Sequence, residues 1–385
     1  MWTNKQHIMS RLSEDHRVLH VDYGFRWLPI HLFDHFRREP SDLLRPWRAL
    51  TEGVTQRSDS LWVAQSYGPP PLKLLPHNSP LRYPVEHDFK LNLVRRFMER
   101  EGFDDPLLWI YHPAFAEAVD DIPHSALIYD CVDNYPAFPN YHHCAEWLAD
   151  VERRLCQRAD LVLTTSQELY DTRAPYNPEN THLVHNVGDA EHFKQALDPD
   201  LEVPDDIADL DGPVVGFVGA VSDYKLDSDW LIAAADAHPE WDVVVIGPVG
   251  LADPSTEVSQ LQQRENVHLL GYRDYADLPA HLKGFDLAVI PYRINEYTRS
   301  VFPIKFFEFL ATGTPVVISA LPALEEYWEA VRTAETAEAF VAECEAALTE
   351  EDENRDERIR LAEENSWASR IEEIMRLIEE RLDER

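Results

Sequence analysis

The chain has 385 residues, of which 44% are hydrophobic, and it carries 70 acidic residues against 35 basic ones. This length suits two domains, and the net charge of −35 argues against a nucleic-acid partner. The polar start lacks the apolar core of a signal peptide, and no stretch approaches the roughly 20 apolar residues of a membrane span, so we expect a cytoplasmic protein. The four cysteines are too few to predict a disulfide framework.

The charge is distributed unevenly. Acidity combined with only seven lysines is typical of a surface adapted to a high-salt cytoplasm, which favours a halophilic source. Residues 1–110 hold 15 basic and 14 acidic residues, whereas residues 111–385 hold 20 basic and 56 acidic ones. Two explanations stay open: the first segment approaches anionic lipid or a phosphate-bearing acceptor, or it is simply more buried.

The first half alternates short apolar runs with helical patterns, which predicts a parallel, doubly wound sheet. The predicted strands are Arg17–Val21, Ser60–Ala64, Leu107–Tyr111, Ala126–Cys131 and Leu161–Thr164, and the helices are His7–Leu12, His87–Arg100, Cys144–Arg158 and Gln167–Arg173. Such a half normally opens with a strand, but here a helix comes first. A strand outside this sequence, an unusual source for it, or a misplaced start would each explain the order.

The Pro- and Asp-rich composition of residues 198–213 predicts a linker, which is followed by a second β/α series. Its strands are predicted at Val214–Gly219, Trp241–Ile246, Asn266–Leu269, Leu287–Ile290 and Pro315–Ile318, and its helices at Asp229–His238, Leu278–Gly284 and Pro303–Thr312. The tail Glu350–Arg385 is predicted to be helical, with an apolar stripe of Ile371, Ile374, Met375 and Ile378. We expect domains at 1–197 and 214–364, with a helix at 365–385 returning to the first.

The segment Ala288–Ser319 is the most informative part of the sequence. A buried strand is followed by a polar loop and then by a helix with Pro303 in its first turn, a favoured place for proline. Loop amides and a helix N-terminus at this edge of a parallel sheet form an anion site, and Lys305 lies close enough to assist a phosphate. Glu308 stands on an otherwise apolar helix, where an unpaired carboxylate is costly to bury, so it predicts a functional residue.

The run from Glu308 through Gly313 to Pro315-Val-Val resembles the nucleotide-sugar signature of GT-B glycosyltransferases, in particular the large retaining group with an E-x₇-E motif. The resemblance implies that Glu308 holds the ribose hydroxyls. The first Glu of the motif is replaced here by Ser300, which becomes a candidate sugar contact. Many family members with the pattern found at Pro303, Lys305 and Glu308 also lack the first Glu.

Other segments extend the resemblance. The family follows its first donor-domain strand with an Arg and a Lys that clamp the diphosphate; here Gly219 is followed by Ala220 and, later, Lys225. Arg293, Arg299 and Lys305 are candidate substitutes for the Arg. Gly247 lies at the next strand end, and Tyr272 and Arg273 fall on the turn whose backbone would meet the base.

In the first half, residues 159–166 and 185–189 also resemble family elements, as does the helix start at residues 365–367. The family places an active-site His after the strand that ends near Asp130, but no His falls there. Asp130 and Asp133 are the acidic alternatives, and His112 follows the preceding strand. A core position is the competing explanation for His112.

The resemblance implies two Rossmann-like domains facing a cleft and sugar transfer from a nucleoside diphosphate sugar to a hydroxyl acceptor. Lys305, His112, Asp130 and Asp133 are the predicted catalytic groups. We expect no cofactor and no metal, since neither a DxD-like motif nor a ligand set around His142 and His143 stands out. The acceptor would be a surface glycan or a lipid-linked saccharide.

Three matters stay open. The aromatic and basic stretch Phe25–Arg38 fits either peripheral contact with the inner face of the membrane or an ordinary core segment. A nucleotide-sugar 2-epimerase of the same fold would bind the donor but need no acceptor. A non-catalytic partner subunit would retain the fold without the chemistry.

Overall fold

A computed structural model describes residues 3–27, 54–68, 82–251, 253, 255–349 and 353–384. The chain forms two α/β domains with predominantly parallel sheets, and its last helix packs against the first domain. The predicted α/β class with parallel sheets is therefore confirmed. Most of the stretch Phe25–Arg38 lies outside the described residues.

The described part of the first domain forms two sheets. Its helices and strands are α1 (Asn4–Asp15), β1 (Val18–Trp27), β2 (Val54–Gln56), β3 (Leu61–Gly68), α2 (Arg82–Glu101), β4 (Leu107–Ile110), β5 (Ala126–Cys131), α3 (Ala145–Arg158), β6 (Leu161–Thr164), α4 (Gln167–Arg173) and β7 (Thr181–Leu183). One sheet has the order β1-β3-β2 and the other β4-β5-β6-β7. β2 pairs antiparallel with β3, and its three residues are too short for periodicity to reveal.

The connection to the second domain carries two one-turn helices, α5 (Ala190–Phe193) and α6 (Asp205–Ala208). The second domain follows with β8 (Val214–Val218), α7 (Ser228–Ala237), β9 (Asp242–Ile246), α8 (Ser259–Gln262), β10 (Val267–Gly271), α9 (Leu278–Lys283), β11 (Leu287–Ile290), α10 (Lys305–Ala311), β12 (Val316–Ser319), β13 (Arg332–Ala334) and α11 (Ala337–Thr349). Its single parallel sheet has the order β10-β9-β8-β11-β12-β13. Counted from β8, this is the 3-2-1-4-5-6 order of a doubly wound dinucleotide-binding fold.

The second domain owes its stability to strands that are apolar on both faces. All five residues of β8 and all four of β11 are buried, as the continuous apolar runs predict for a sheet covered by helices on both sides. The helix predicted at Pro303–Thr312 begins two residues later, at Lys305, and ends before Gly313, whose φ of +73° suits glycine after a helix.

The tail forms two helices, and the second begins close to the helix start expected at residues 365–367. α12 (Arg355–Glu364) packs on α10, and α13 (Trp367–Asp383) follows after a break. The break falls at Ser366 because its hydroxyl accepts a hydrogen bond from the amide of Ser369 and caps a new helix. α13 then buries Trp367 and Ile374 against strands of the first domain.

None of the helices in the described ranges combines the length and the apolar character that crossing a bilayer demands.

Candidate nucleotide-sugar site

A cleft of about 920 Å³ lies between the two domains. The second domain contributes the segments that follow β8 and β11 together with the start of α10. The first domain contributes the ends of β4 and β5 and the start of α1. Among the polar side chains that line it are those of Lys5, His112, Asp133, Lys225, Tyr275, Tyr297, Lys305 and Glu308. Three of the seven lysines of this acidic chain therefore line one cleft.

Glycines let the donor-side segments approach one another. A Cβ on Gly219 would lie 2.0 Å from Nζ of Lys305, so the absence of a side chain makes room for that ammonium group. Gly247 has φ +147°, and a Cβ there would lie 1.9 Å from the carbonyl oxygen of Gly219. Both glycines therefore allow close approaches of the backbone beside the strand ends of the second domain.

Two lysines form the positive part of the cleft. Nζ of Lys305 lies 4.3 Å from the ring centroid of Phe217 and 5.2 Å from that of Tyr292. Nζ of Lys225 lies 5.0 Å from the same Tyr292 ring, so the two amino groups share one aromatic platform. Burial lowers the pKa of Lys305 well below its ordinary value, with Lys225 adding to the effect, and burial also lowers the pKa of Lys225. An anion bound here would offset the desolvation penalty of both ammonium groups.

Glu308 lies one turn after Lys305 on α10 and faces the same cleft. Burial raises the pKa of Glu308 to about 8, and the charge of Asp189 adds to the rise, while Lys305 opposes it. The hydroxyl of Tyr275 lies 3.4 Å from Oε1 and is its hydrogen-bond donor. The carboxyl group is thus held in place with acceptor capacity left for the hydroxyls of a ligand.

Asp133 connects the two domains across the cleft. It follows β5, and its Oδ1 accepts a hydrogen bond of 2.9 Å from the hydroxyl of Tyr297 in the second domain. Burial raises the pKa of Asp133, and Lys225 counteracts this. A carboxylate that faces Lys225 can stabilise positive charge or accept a proton from a bound hydroxyl.

His112 lies on the first-domain wall. Its Nδ1 accepts from the amide of Ala114 and so caps the 3₁₀ helix Pro113–Asp121, and its Nε2 lies 3.1 Å from the hydroxyl of Tyr141. Because Nδ1 accepts, Nε2 carries the proton of the neutral ring. Burial, followed by the charge of Lys5, lowers the pKa of His112 to about 4. His112 is therefore neutral at pH 7.

Aromatic rings close the cleft between the domains. The Phe138 ring lies 5.2 Å from the rings of both Tyr224 and Tyr297, in edge-to-face contacts that cross the domain boundary. Tyr141 extends the group toward His112. Such pairs contribute about 1 kcal/mol beyond their burial and place flat apolar surface beside the polar groups.

Polar contacts also join the start of α1 to the second domain. The side-chain amide of Asn4 donates to Oδ1 of Asn186 at 2.6 Å. The side-chain amide of Asn186 in turn donates to the carbonyl oxygen of Phe302 at 2.8 Å. A Cβ on Gly188 would lie 2.8 Å from the backbone nitrogen of Glu308. Residues 186–188 therefore fix α10 relative to the first domain.

Several predicted residues lie away from the cleft lining. Asp130 is fully buried behind it, where Trp109 donates to its carboxylate at 3.3 Å and burial raises its pKa to about 6. Arg273 forms an ion pair with Asp206 at 2.6 Å, and Arg299 is exposed. Asp130 and Arg273 therefore have partners within the protein, and none of the three side chains lines the cleft.

The other predicted positions, Ser300, Tyr272 and Arg293, differ in their exposure and contacts. Ser300 is fully buried, and its hydroxyl has no hydrogen-bond partner among the described residues. Tyr272 is 55% exposed beside Gly271, which has φ +70°. Arg293 forms an ion pair of 3.2 Å with Asp227. Tyr272 stays accessible to a ligand through its backbone, whereas Arg293 is already neutralised.

Sequence reasoning missed Tyr275, Tyr297 and Lys5, and it included Asn186 only within the resemblance of residues 185–189. The tyrosines look like ordinary core aromatics, because nothing in their neighbourhood in sequence shows that they contact carboxylates more than 30 residues away. The one feature of the sequence that could have pointed to Lys5 is the scarcity of lysine in this chain. Within the ranges that the structure describes, no cluster of three His, Cys, Asp or Glu side chains could hold a metal ion.

This arrangement of two doubly wound domains around a cleft is the GT-B fold. Residues 212–350 match the family model described as "Glycosyl transferases group 1". A curated relative from Bacillus subtilis (strain 168), named "Putative teichuronic acid biosynthesis glycosyltransferase TuaH", is 28% identical over 291 residues and covers 70% of each chain.

Solved structures agree on the fold. Sucrose-phosphate synthase from Thermosynechococcus elongatus superposes with a TM-score of 0.68 at 17% identity, covering 98% of this chain and 92% of that one. Anabaena Alr3699/HepE in complex with UDP-glucose gives 0.64 at 18% identity, covering 94% and 99%. The E. coli trehalose-6-phosphate structure bound with UDP-2-fluoro glucose gives 0.65 at 11% identity, covering 94% and 98%. The predicted GT-B fold is confirmed.

Proposed function

We propose that this protein transfers a sugar from a nucleoside diphosphate sugar to a hydroxyl acceptor during the synthesis of a cell-surface polysaccharide. The observation that carries the proposal is the grouping of Lys225, Lys305 and Glu308 in one interdomain cleft, on a domain that matches glycosyl transferases group 1. The described cluster supplies positive charge for a diphosphate and an acceptor for ribose hydroxyls.

On the donor side, Lys225 and Lys305 would hold the diphosphate. The charge on the leaving diphosphate grows as the glycosidic bond breaks, so ammonium groups that are already in place stabilise the transition state more than the ground state. Their lowered pKa values indicate that the free protein bears a desolvation cost, which a bound dianion removes. Glu308 would accept hydrogen bonds from the ribose and so set the position of the anomeric carbon.

On the acceptor side, Asp133 and neutral His112 face the donor lysines. Asp133 is the group best placed to accept a proton from the attacking hydroxyl or to stabilise positive charge at the anomeric centre. Retention of configuration is an implication of the family resemblance and forms part of the proposal. Asp130 would act indirectly, through Trp109 and the end of β5.

The teichuronic acid relative supports a surface polysaccharide as the product, and the neighbours solved with UDP and UDP-glucose support a uridine donor. We propose that the reaction takes place in the cytoplasm, at the inner face of the membrane. Residues 1–110 escape the strong acidity of the rest of the chain, which would let them approach anionic lipid.

The test is a donor screen with a matched pair of variants. UDP-glucose, GDP-glucose and ADP-glucose are each added to the wild type, Lys305→Met and Lys194→Met, and both the melting temperature and the release of nucleoside diphosphate are measured. Lys194 forms an exposed ion pair with Glu363, so its replacement removes the same charge far from the cleft.

We expect one donor to raise the melting temperature of the wild type and of Lys194→Met, and slow hydrolysis of that donor without an acceptor. Lys305→Met should lose at least about tenfold in affinity, because a charge-assisted contact disappears. A change of the donor sugar with no release of nucleoside diphosphate would instead identify an epimerase. Failure of every donor to bind or react would contradict the proposal.

A further inference from the structure

The first domain buries an ion pair that the proposed mechanism does not use. Glu152 of α3 is 4% exposed, Arg173 at the end of α4 is 8% exposed, and Nη2 of Arg173 lies 2.9 Å from Oε2 of Glu152. The other oxygen, Oε1, accepts a hydrogen bond from the hydroxyl of Tyr129 on β5. The thiol of Cys131, two residues further along β5, lies 3.4 Å from the same Oε1. Both oxygens of this carboxylate therefore have partners inside the core.

A buried ion pair is a weak source of stability. The cost of removing two charges from water offsets much of their attraction, so apolar residues of similar volume often stabilise a core as well or better. The best-attested role of such a pair is to fix one arrangement of the chain. The remaining contacts of Arg173 show which segment this pair fixes.

Arg173 reaches the loop that follows β5. Its Nη2 also donates to Oδ1 of Asn134 at 3.2 Å, and its Nη1 donates to Oγ1 of Thr172 at 2.7 Å. The donors of a guanidinium group have fixed directions in one plane, so acceptors on three different sides define its position. Glu152 therefore orients Arg173, and Arg173 in turn orients Asn134.

Asn134 directly follows Asp133, the carboxylate on the acceptor side of the cleft. Asp133 lines the cleft, and Asn134 is not among the described residues that do. The preceding residue of the loop is held as well, because the hydroxyl of Thr165 donates to the carbonyl oxygen of Val132 at 3.2 Å. With residues 132 and 134 both fixed, the backbone of Asp133 has little freedom, and its carboxylate stays beside the hydroxyl of Tyr297.

The helix that ends at Arg173 also contacts the second domain. α4 contacts the 3₁₀ turn Thr298–Ser300, which directly follows Tyr297. The hydroxyl of Tyr297 donates to Asp133 at 2.9 Å across the cleft. One helix thus lies against the segment that carries the donor of this hydrogen bond and, through Arg173, holds the loop that carries the acceptor.

We propose that Arg173, oriented by Glu152, is a positioning residue that acts through Asn134 to hold the carboxylate of Asp133 on the acceptor side of the cleft. Within the described part of the chain, Arg173 does not line the cleft, so its guanidinium group acts on Asp133 and not on the substrate. The catalytic part of this inference rests on the proposed transfer of a sugar, whereas the support of the loop does not.

The test changes Asn134, because removing Arg173 or Glu152 alone would leave a buried charge unpaired and destabilise the domain. Asn134→Ala removes the acceptor for Arg173, and Asn134→Asp keeps one. Asn180→Ala is the matched control, since it removes a side-chain amide that donates to Asn177 at 2.8 Å in the same domain, away from the cleft. Hydrogen–deuterium exchange resolved to single residues and the steady-state rate of sugar transfer are measured for each protein.

Exchange tests the support of the loop independently of catalysis. The amide of Tyr135 donates to the carbonyl oxygen of Asp133 at 3.0 Å, so its exchange reports the order of this loop. After correction for the intrinsic effect of each substitution, Asn134→Ala should speed this exchange at least about tenfold, because a contact with a charged donor is lost. Asn134→Asp and Asn180→Ala should change it less than about threefold. Equal exchange in wild type and Asn134→Ala would overturn the proposal, whatever the protein catalyses.

The transfer rate tests the consequence for Asp133. Asn134→Ala should lower kcat at least about tenfold and change the donor KM less than about threefold, since the donor lysines are untouched. In an Asp133→Asn background it should change kcat less than about twofold, because the group that it positions is already gone. Equal losses in both backgrounds would overturn a role through Asp133. Absence of transfer by the wild type would contradict the proposed function and the catalytic part of this inference, and the exchange result would still decide the support of the loop.

Discussion

Replacing Glu308 with Gln should stabilise the fold while weakening the site. Burial raises the pKa of Glu308 to about 8 from an ordinary value of 4.5, so the folded protein binds this proton more tightly than the unfolded chain does. Stability contributed by the protonated form is therefore present at low pH and lost as pH rises from about 4.5 to about 8. Glutamine keeps the neutral, hydrogen-bonding form at every pH.

The magnitude follows from the shift. At about 1.4 kcal/mol per pKa unit, the raised pKa of Glu308 would lower the free energy of unfolding by roughly 4–5 kcal/mol at pH 8.5. Glu308 remains partly exposed to the cleft, where water screens its charge, so we expect about 1–2 kcal/mol. At pH 5 the gain of Glu308→Gln should fall below about 0.5 kcal/mol, because pH 5 lies only about half a unit above the ordinary pKa of 4.5 and most of the destabilisation develops at higher pH.

Urea denaturation at pH 5, 7 and 8.5 measures this difference. Glu168→Gln, on the exposed face of α4, is the control and should show no such dependence on pH. A difference between Glu308→Gln and wild type that is the same at pH 5 and pH 8.5 would refute the assignment of Glu308 as a buried, proton-holding carboxyl group.

Three further predictions concern the contacts between the domains and the donor lysine. Trp367→Ala should cost about 3–5 kcal/mol in urea denaturation, because it removes a buried indole that stacks on His7 at 4.7 Å; a loss below 1 kcal/mol would contradict this packing. Tyr297→Phe removes the hydroxyl that holds Asp133 and should shift the acidic limb of the pH–rate profile upward by about half a unit, whereas an unchanged profile would exclude Asp133 as the titrating group. Lys305→Met should raise the melting temperature of the free protein by a few degrees, because it removes a desolvated ammonium group, and a lower melting temperature would oppose that explanation.

The fold could be predicted largely because buried parallel strands have a simple signature. The runs around Val214–Val218 and Leu287–Ile290 are continuously apolar, and such runs rarely occur outside two-sided burial. The three-residue strands β2, β7 and β13 were missed because they are too short to show a period. The start of the last helix at residues 365–367 was predicted through the family resemblance, and the helix begins at Trp367.

The donor half of the site was also accessible from the sequence. Glu308 and Lys305 lie one turn apart on a helix that is otherwise buried, so their side chains could only face a cleft. Lys225 was found through resemblance and the scarcity of lysine.

The acceptor half depends on tertiary structure. Asp130 and Asp133 are three residues apart around the end of β5, and only the path of the chain after that strand decides that Asp133 enters the cleft. Tyr275 and Tyr297 meet Glu308 and Asp133 through loops from distant parts of the chain. No local pattern encodes such contacts.

The most direct test of the central claim is isothermal titration of UDP-glucose, GDP-glucose and ADP-glucose into wild type and Glu308→Gln at pH 7.5. The proposed site predicts that one donor binds the wild type and binds Glu308→Gln at least about tenfold more weakly, although the variant is the more stable protein. Equal affinity for the two proteins, or no binding to the wild type, would contradict the assignment of the cleft as a nucleotide-sugar site.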